Sequence, residues 1–68
     1  MEKQLEPHQQ RVVDEQKELQ TKINALQSFI YTNEIFEQLL IDERDDLISQ
    51  LHYMTGYNSI LNSRINRF

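Results

Sequence analysis

The fold is decided by residues 8–30, HQQRVVDEQKELQTKINALQSFI, a stretch that contains neither glycine nor proline. Apolar side chains recur there at intervals of three and four residues, with one glutamine among them: Val12, Gln16, Leu19, Ile23, Leu26 and Ile30. This spacing is typical of an α-helix that carries a single apolar stripe. Such a helix is stable in water only when a partner covers the stripe, so the stretch predicts a second element.

The partner is predicted by a second stretch with the same spacing, which begins at Leu47. Its stripe also has one polar member and consists of Leu47, Leu51, Met54, Asn58, Leu61, Ile65 and Phe68. Read in opposite directions, the two stripes place Ile30 opposite Leu47. In the same register Leu19 lies opposite Asn58. The sequence therefore predicts an antiparallel two-helix hairpin.

Glycine and proline, the residues that most often interrupt helices, occur once each, at Gly56 and Pro7. The fold class is therefore all-α. Pro7 suits the first turn of a helix, where its missing N–H has no partner to lose. We expect one domain over residues 1–68, with a helix over 7–30, a connector over 31–42 and a helix over 43–67.

The connector itself contains helix-start signals. Thr32 or Asn33 can cap a short helix over IFEQLL, and Asp42 can cap the second arm. We therefore expect a short helical connector between the two long arms.

Length and charge exclude several classes of protein. A 68-residue chain without cysteine has neither a disulfide framework nor a thiolate metal site, so self-association is the expected source of added stability. The net charge of −4 disfavours binding to DNA or RNA. No apolar run approaches the roughly 18 residues of a membrane span. We expect a soluble, intracellular homo-oligomer.

A second set of side chains on the second arm predicts the contact between subunits. Tyr53, Tyr57, Ile60 and Arg64 recur at intervals of four, three and four, and Gly56 lies between the tyrosines, where a missing side chain permits close approach. We interpret this set as a subunit interface. The alternative is that the tyrosines only widen the hairpin seam and keep their hydroxyls in water.

The sequence gives little support for a metal-binding or catalytic site. His8 and His52 lie on opposite arms and do not meet in the predicted register. The acidic group Asp42, Glu43, Asp45 and Asp46 lacks the glycine and alternating ligands of a calcium loop. Neither a recognisable nucleophile with its base nor a glycine-rich phosphate loop is present. We expect a protein that is not an enzyme and has no metal or cofactor.

Three basic side chains on the first arm offer a different chemistry. His8 and Lys22 are separated by about 21 Å along one helix, so one chain cannot close both around a small ligand. Two first arms packed antiparallel would bring His8 of one chain beside Lys22 of the other, with Arg11 nearby, in a pocket that suits a small anion. The alternative is a solvated face on which Lys22 pairs with Glu18 and Arg11 with Glu15.

A longer pattern joins both arms, in the same order and with a fixed connector length. Its residues are His8, Arg11, Val12, Val13, Glu15, Glu18, Leu19, Lys22, Ile23, Leu26, Phe29 and Ile30, then Leu47, Gln50, Leu51, Met54, Tyr57, Leu61, Arg64 and Ile65. Over residues 8–65 the chain resembles the phage helical-hairpin sponges for cyclic oligonucleotides, above all the anti-CBASS sponge. The anti-Thoeris sponge shares this hairpin.

The resemblance implies a phage immune-evasion protein, active in the host bacterial cytoplasm as a homohexamer. It would hold cyclic di- and trinucleotides without cleaving them. By similarity, Lys22 would bind the dinucleotide, and His8 with Pro7 would stand where the family has an aromatic residue. Arg64 would serve a separate trinucleotide site together with the N-terminal segment.

Three other functions stay open at this point. The chain could be a sponge for the cyclic ADP-ribose signals of Thoeris, or a structural hairpin whose second face binds another protein. A cyclic-nucleotide phosphodiesterase is a third class, but it needs a base or a metal that the sequence does not offer.

Overall fold

The structure, a computed structural model, describes residues 4–68 and contains three helices there. Helix α1 spans Pro7–Thr32, α2 spans Glu34–Gln38 and α3 spans Ile41–Asn66. The two long helices pack side by side, and the molecule measures 52 × 16 × 15 Å. The predicted all-α hairpin with a short helical connector is therefore confirmed. Below, the open end is the end with Pro7 and Phe68, and the turn end is the end with α2.

Local hydrogen bonds explain where α1 begins and ends. Glu6 is its N-cap, and the backbone N–H of Glu6 donates to the Gln9 side chain over 2.9 Å. Pro7 follows at the first helical position. At the other end Asn33 serves two helices, because its N–H donates to Phe29 O and its Oδ1 accepts from Ile35 N. One asparagine therefore ends α1 and starts α2, at a position that the sequence marks as a helix start.

The second arm begins at Ile41, with Leu40 as its N-cap. Leu39 and Leu40 both have extended backbone, with ψ of 153° and 149°, and this extended pair turns the chain from α2 into α3. Asp42, one candidate for the cap, is instead inside the first turn with Glu43. Acidic side chains there interact favourably with the positive end of the helix dipole.

The core lies along the seam between the arms. Val12, Leu19 and Ile23 of α1 are buried there with Leu61 of α3, which is fully covered at 0% exposure. The partly buried side chains packed against this cluster come from the second arm: Leu51, Met54, Ile65 and Phe68. These residues are members of the two stripes, so the seam is built as the spacing predicts.

The polar members of the two stripes meet inside the seam. The Gln16 side-chain amide donates to Asn58 Oδ1 over 3.2 Å, and the Asn58 amide donates to Gln20 Oε1 over 3.0 Å. Asn58 thus lies between Gln16 and Gln20, at the level of Leu19. A polar group in an apolar seam favours the one alignment that satisfies its hydrogen bonds, so this layer selects the register.

Aromatic packing closes the turn end. Phe36 of α2 is buried, and its ring meets that of Phe29 edge to face, with centroids 6.1 Å apart and planes at 85°. Such a contact adds stability beyond the area it buries. It holds the five-residue α2, which is too short to be stable alone, against the end of α1.

Candidate functional site

One hydrogen bond outside the core determines how the exposed faces of the arms are arranged. The hydroxyl of Tyr57 on α3 donates to Oε1 of Glu15 on α1. Both side chains are exposed and lie at the edge of the seam. A direct bond between them requires that the α1 face with Glu15 and the α3 face with Tyr57 lie on the same side of the hairpin.

The α1 face consists of charged side chains. Arg11, Glu15, Glu18 and Lys22 follow one another at intervals of four, three and four, which places them on one side of a helix, and all four are exposed. The two acids lie in the middle of this face, and a cation lies at each end. We call these four residues the charged face.

The α3 face carries the predicted interface residues, and we call Tyr53, Gly56, Tyr57, Ile60 and Arg64 the tyrosine face. Tyr53 is 75% exposed and Ile60 59% exposed. A Cβ built on Gly56 meets nothing within 4 Å. Within one chain this face is therefore uncovered, as a surface that contacts another molecule must be.

Tyr57 combines the two roles that the sequence left open. Its hydroxyl is engaged at the edge of the seam, and it is still 42% exposed. The hydrogen bond to Glu15 is the main reason that the pKa of Tyr57 is raised, with smaller contributions from desolvation and from the charge of Glu15. Arg64 opposes this and lowers the pKa of Tyr57, so the guanidinium acts on the same hydroxyl. Tyr57 therefore stays protonated, as a donor, throughout the neutral range.

The predicted ligand residues are divided between two places in one chain. Pro7 and His8 lie exposed in the first turn of α1, at the open end. Lys22 lies fourteen residues further along the same uninterrupted helix, about 21 Å away along its axis. Arg64 lies on the other arm, seven residues after Tyr57 on the same face of α3. Within one chain the structure brings Arg64 to the side of the charged face, but it keeps His8 and Lys22 apart.

A cleft of about 650 Å³ lies at the turn end, between the end of α1 and α2. It contains none of the predicted ligand residues, and its lining comprises Ala25, Ser28, Phe29, Thr32, Asn33, Glu34, Ile35 and Gln38. The sequence reasoning missed this cleft. The available signal was the short helix expected after Asn33, since an element of that kind folds back on the arm before it, but the spacing does not reveal the angle.

The acidic side chains near the start of α3 do not form a metal-binding cluster. Across residues 4–68, no group of three or more His, Cys, Asp or Glu side chains converges closely enough to hold a metal ion. Within the same range, no helix combines the length and the apolar character needed to cross a bilayer.

A comparison with protein families finds a match that covers almost the whole hairpin. The family model for Sequestin matches residues 6–67, from the N-cap of α1 to the end of α3. The chain belongs to the Sequestin family. The resemblance to the sponge proteins is thereby confirmed, and so is the prediction that the chain is not an enzyme, because this family binds and sequesters a small ligand. Searches of curated proteins and of solved structures return no match to this Sequestin.

Proposed function

We propose that this Sequestin captures cyclic di- and trinucleotide second messengers in the cytoplasm of a bacterium infected by a phage. It holds them intact and thereby keeps the effectors of CBASS immunity inactive. The working assembly is a homohexamer built through the tyrosine face. Family membership supports sequestration of a small ligand, and the chemistry of the charged face supports a ligand that carries phosphates.

The observation that carries this proposal is the hydrogen bond between Tyr57 and Glu15. It supports a tyrosine face and a charged face on one side of the hairpin. A subunit contact through the tyrosines therefore brings Arg11 and Lys22 to the subunit boundary. There the lysine supplies a mobile point charge and the arginine a planar fork, the two modes in which proteins bind phosphate.

A two-fold contact between α1 helices then completes the pocket. In an antiparallel pair that places His8 of one copy beside Lys22 of the other, Glu15 lies midway and approaches its own counterpart across the axis. Two carboxylates at that position repel each other. The hydrogen bond from Tyr57 reduces this repulsion, because the donor partly offsets each negative charge.

The trinucleotide site is a further part of the proposal. Arg64 stands on the same side of the hairpin, and it would act there with the N-terminal segment. Met1, Glu2 and Lys3 of that segment lie outside the described residues.

The test is a depletion and recovery experiment with Lys22→Glu. Cyclic di-AMP, cyclic di-GMP, a cyclic trinucleotide and a cyclic ADP-ribose are each mixed with the protein, and the free ligand is measured before and after the protein is denatured. The expected result is depletion of a cyclic dinucleotide and its intact recovery on denaturation. Lys22→Glu abolishes depletion, because it places an acid where a phosphate binds.

The matched control is Lys17→Glu, which makes the same charge change on the same helix. Lys17 is exposed and lies outside the charged face, so this variant keeps most of its affinity. Cleaved ligand would indicate an enzyme. Depletion of the cyclic ADP-ribose alone would indicate a Thoeris sponge. If no ligand were depleted, the remaining hypothesis would be a structural hairpin that binds another protein.

A further inference from the structure

We propose that the cleft between α1 and α2 binds a nucleobase of the ligand whose phosphate is held by Lys22. This inference rests on the proposed function and adds a base-binding site to it. The cleft is lined by residues that the sequence reasoning did not assign to any site.

Helical spacing connects the cleft directly to Lys22. Ala25 and Phe29, which line the cleft, follow Lys22 at intervals of three and four residues and so continue the charged face. The rise along α1 from Lys22 to Ala25 is about 4.5 Å, and from Lys22 to Phe29 it is about 10.5 Å. When Lys22 binds a phosphate of a ligand, the cleft therefore lies next to that ligand, further along α1.

The lining has the composition of a site for a planar, neutral group with polar edges. Phe29 and Ile35 provide apolar surface, and aromatic rings are the usual platform on which proteins stack bases. Asn33 uses its Oδ1 to accept from Ile35 N, so its Nδ2 is oriented as a donor. Gln38 adds an amide and Glu34 a carboxylate. These groups match the mixture of acceptors and N–H donors along a base edge.

Charge determines which end of a nucleotide enters the cleft. Glu34 lines it, and Glu37 follows on the same short helix. Two carboxylates on α2 repel a phosphate, whereas Lys22 attracts one. The uncharged base therefore occupies the cleft, and the phosphate remains at the end nearest Lys22.

The cleft is preformed, which favours binding. Two of its lining residues are held in place: Phe29 meets the buried Phe36 edge to face, and Asn33 makes two helix caps. Its volume of about 650 Å³ falls within the range of small-molecule pockets in proteins. A ligand that enters it does not have to order α2 first.

The test fills the cleft without removing any contact. Ala25 is exposed and lines the cleft, so Ala25→Leu places a larger side chain inside it while keeping a good helix former. The matched control is Gln27→Leu, an exposed position on the same helix outside the cleft. Affinity for cyclic di-AMP and cyclic di-GMP is measured by calorimetry on full-length protein, and the oligomeric state of each variant by light scattering.

The expected result is that Ala25→Leu weakens the dinucleotide that wild type binds best by about tenfold or more, the scale of a lost stacking surface. Gln27→Leu stays within about twofold, and both variants keep the wild-type mass. Unchanged affinity in Ala25→Leu, with binding lost in Lys22→Glu, would overturn the base site and leave the proposed function standing. A change of oligomeric state in Ala25→Leu would also overturn it, because the cleft would then be a subunit contact. If wild type bound neither dinucleotide, the dinucleotide part of the proposed function would fail along with this inference.

Discussion

Two polar links join the arms of this hairpin, and they differ in what surrounds them. The layer of Gln16, Asn58 and Gln20 is half-buried between apolar side chains, whereas the bond from Tyr57 to Glu15 lies at the exposed edge. The same kind of hydrogen bond contributes more where water cannot replace it. The comparison indicates a division of roles: the seam sets stability and register, and the edge arranges a surface for other molecules.

The seam is tested most severely at Leu61, its one fully buried side chain. Leu61→Ala should lower the free energy of unfolding by about 2–5 kcal/mol, the usual loss for a buried leucine, and in a hairpin this small much of the helix should melt. Circular dichroism during urea titration measures the change. The control is Ile48→Ala on the same helix, 51% exposed and outside the tyrosine face, which should shift hairpin stability by about 0.5 kcal/mol or less. Equal effects of the two variants would contradict the assigned seam.

The polar layer should be the next most sensitive position. Asn58→Ala removes the partner of both Gln16 and Gln20, and half-buried amides left without partners cost about 1–3 kcal/mol. The same urea titration measures this loss. Asn62→Ala, at an exposed position one turn further along α3, is the control and should have little effect. An unchanged or more stable Asn58→Ala protein would mean that the polar layer does not add to the stability of the hairpin.

The exposed edge should respond in a different way. Tyr57→Glu places an acid beside Glu15 and within the proposed subunit contact, so association should fail while the helix content stays largely intact. Light scattering and circular dichroism on one sample separate the two effects. The control is Tyr31→Glu, since Tyr31 is exposed but lies outside the tyrosine face. A wild-type protein that is a monomer at micromolar concentration would contradict the proposed contact.

The smallest effect is expected at alkaline pH. The hydrogen bond to Glu15 raises the pKa of Tyr57 above its ordinary value of 10.0. The contribution of this bond to stability is therefore fully present below pH 10 and is lost as the pH rises through the raised pKa. In an ultraviolet titration, Tyr57 should ionise above its ordinary value, and Tyr57→Phe should remove that late step.

Glu15→Gln tests the cause of the late step. Without the carboxylate, the pKa of Tyr57 should fall toward its ordinary value and the three tyrosines should titrate closer together. Glu18→Gln, the next acid on the charged face, is the matched control and should leave the late step in place. If the late ionisation step persisted in Glu15→Gln, that step would belong to another tyrosine.

Much of the fold follows from spacing because a helix has a regular period. The stripes name the side chains that face a partner, so Leu19, Leu61 and the polar members Gln16 and Asn58 are found from the sequence alone. The hydrogen bond between these two amides is known only from the structure. Local caps follow from residue type in the same way, as at Asn33. The start of α3 at Ile41 is harder to predict from the sequence, because it depends on two extended leucines whose conformation the turn imposes.

The candidate site was predicted in part. The charged face and the tyrosine face each follow from spacing within one arm. That the two faces share one side of the hairpin was not predicted, and it is shown by the hydrogen bond from Tyr57 to Glu15. The cleft beside Phe29 was missed because its shape depends on the angle between α2 and α1.

The sequence by itself determined the helical arms, their antiparallel pairing, the members of the seam and the family. These depend on periodicity and on residue type, which are properties of the chain read in order. Only the tertiary structure decided that Tyr57 reaches Glu15 and that a cleft opens between α1 and α2, next along the face from Lys22. The physical reason is that these are relations between elements. They depend on rotation and crossing angle, which packing of the whole core sets and which no single stretch of sequence encodes.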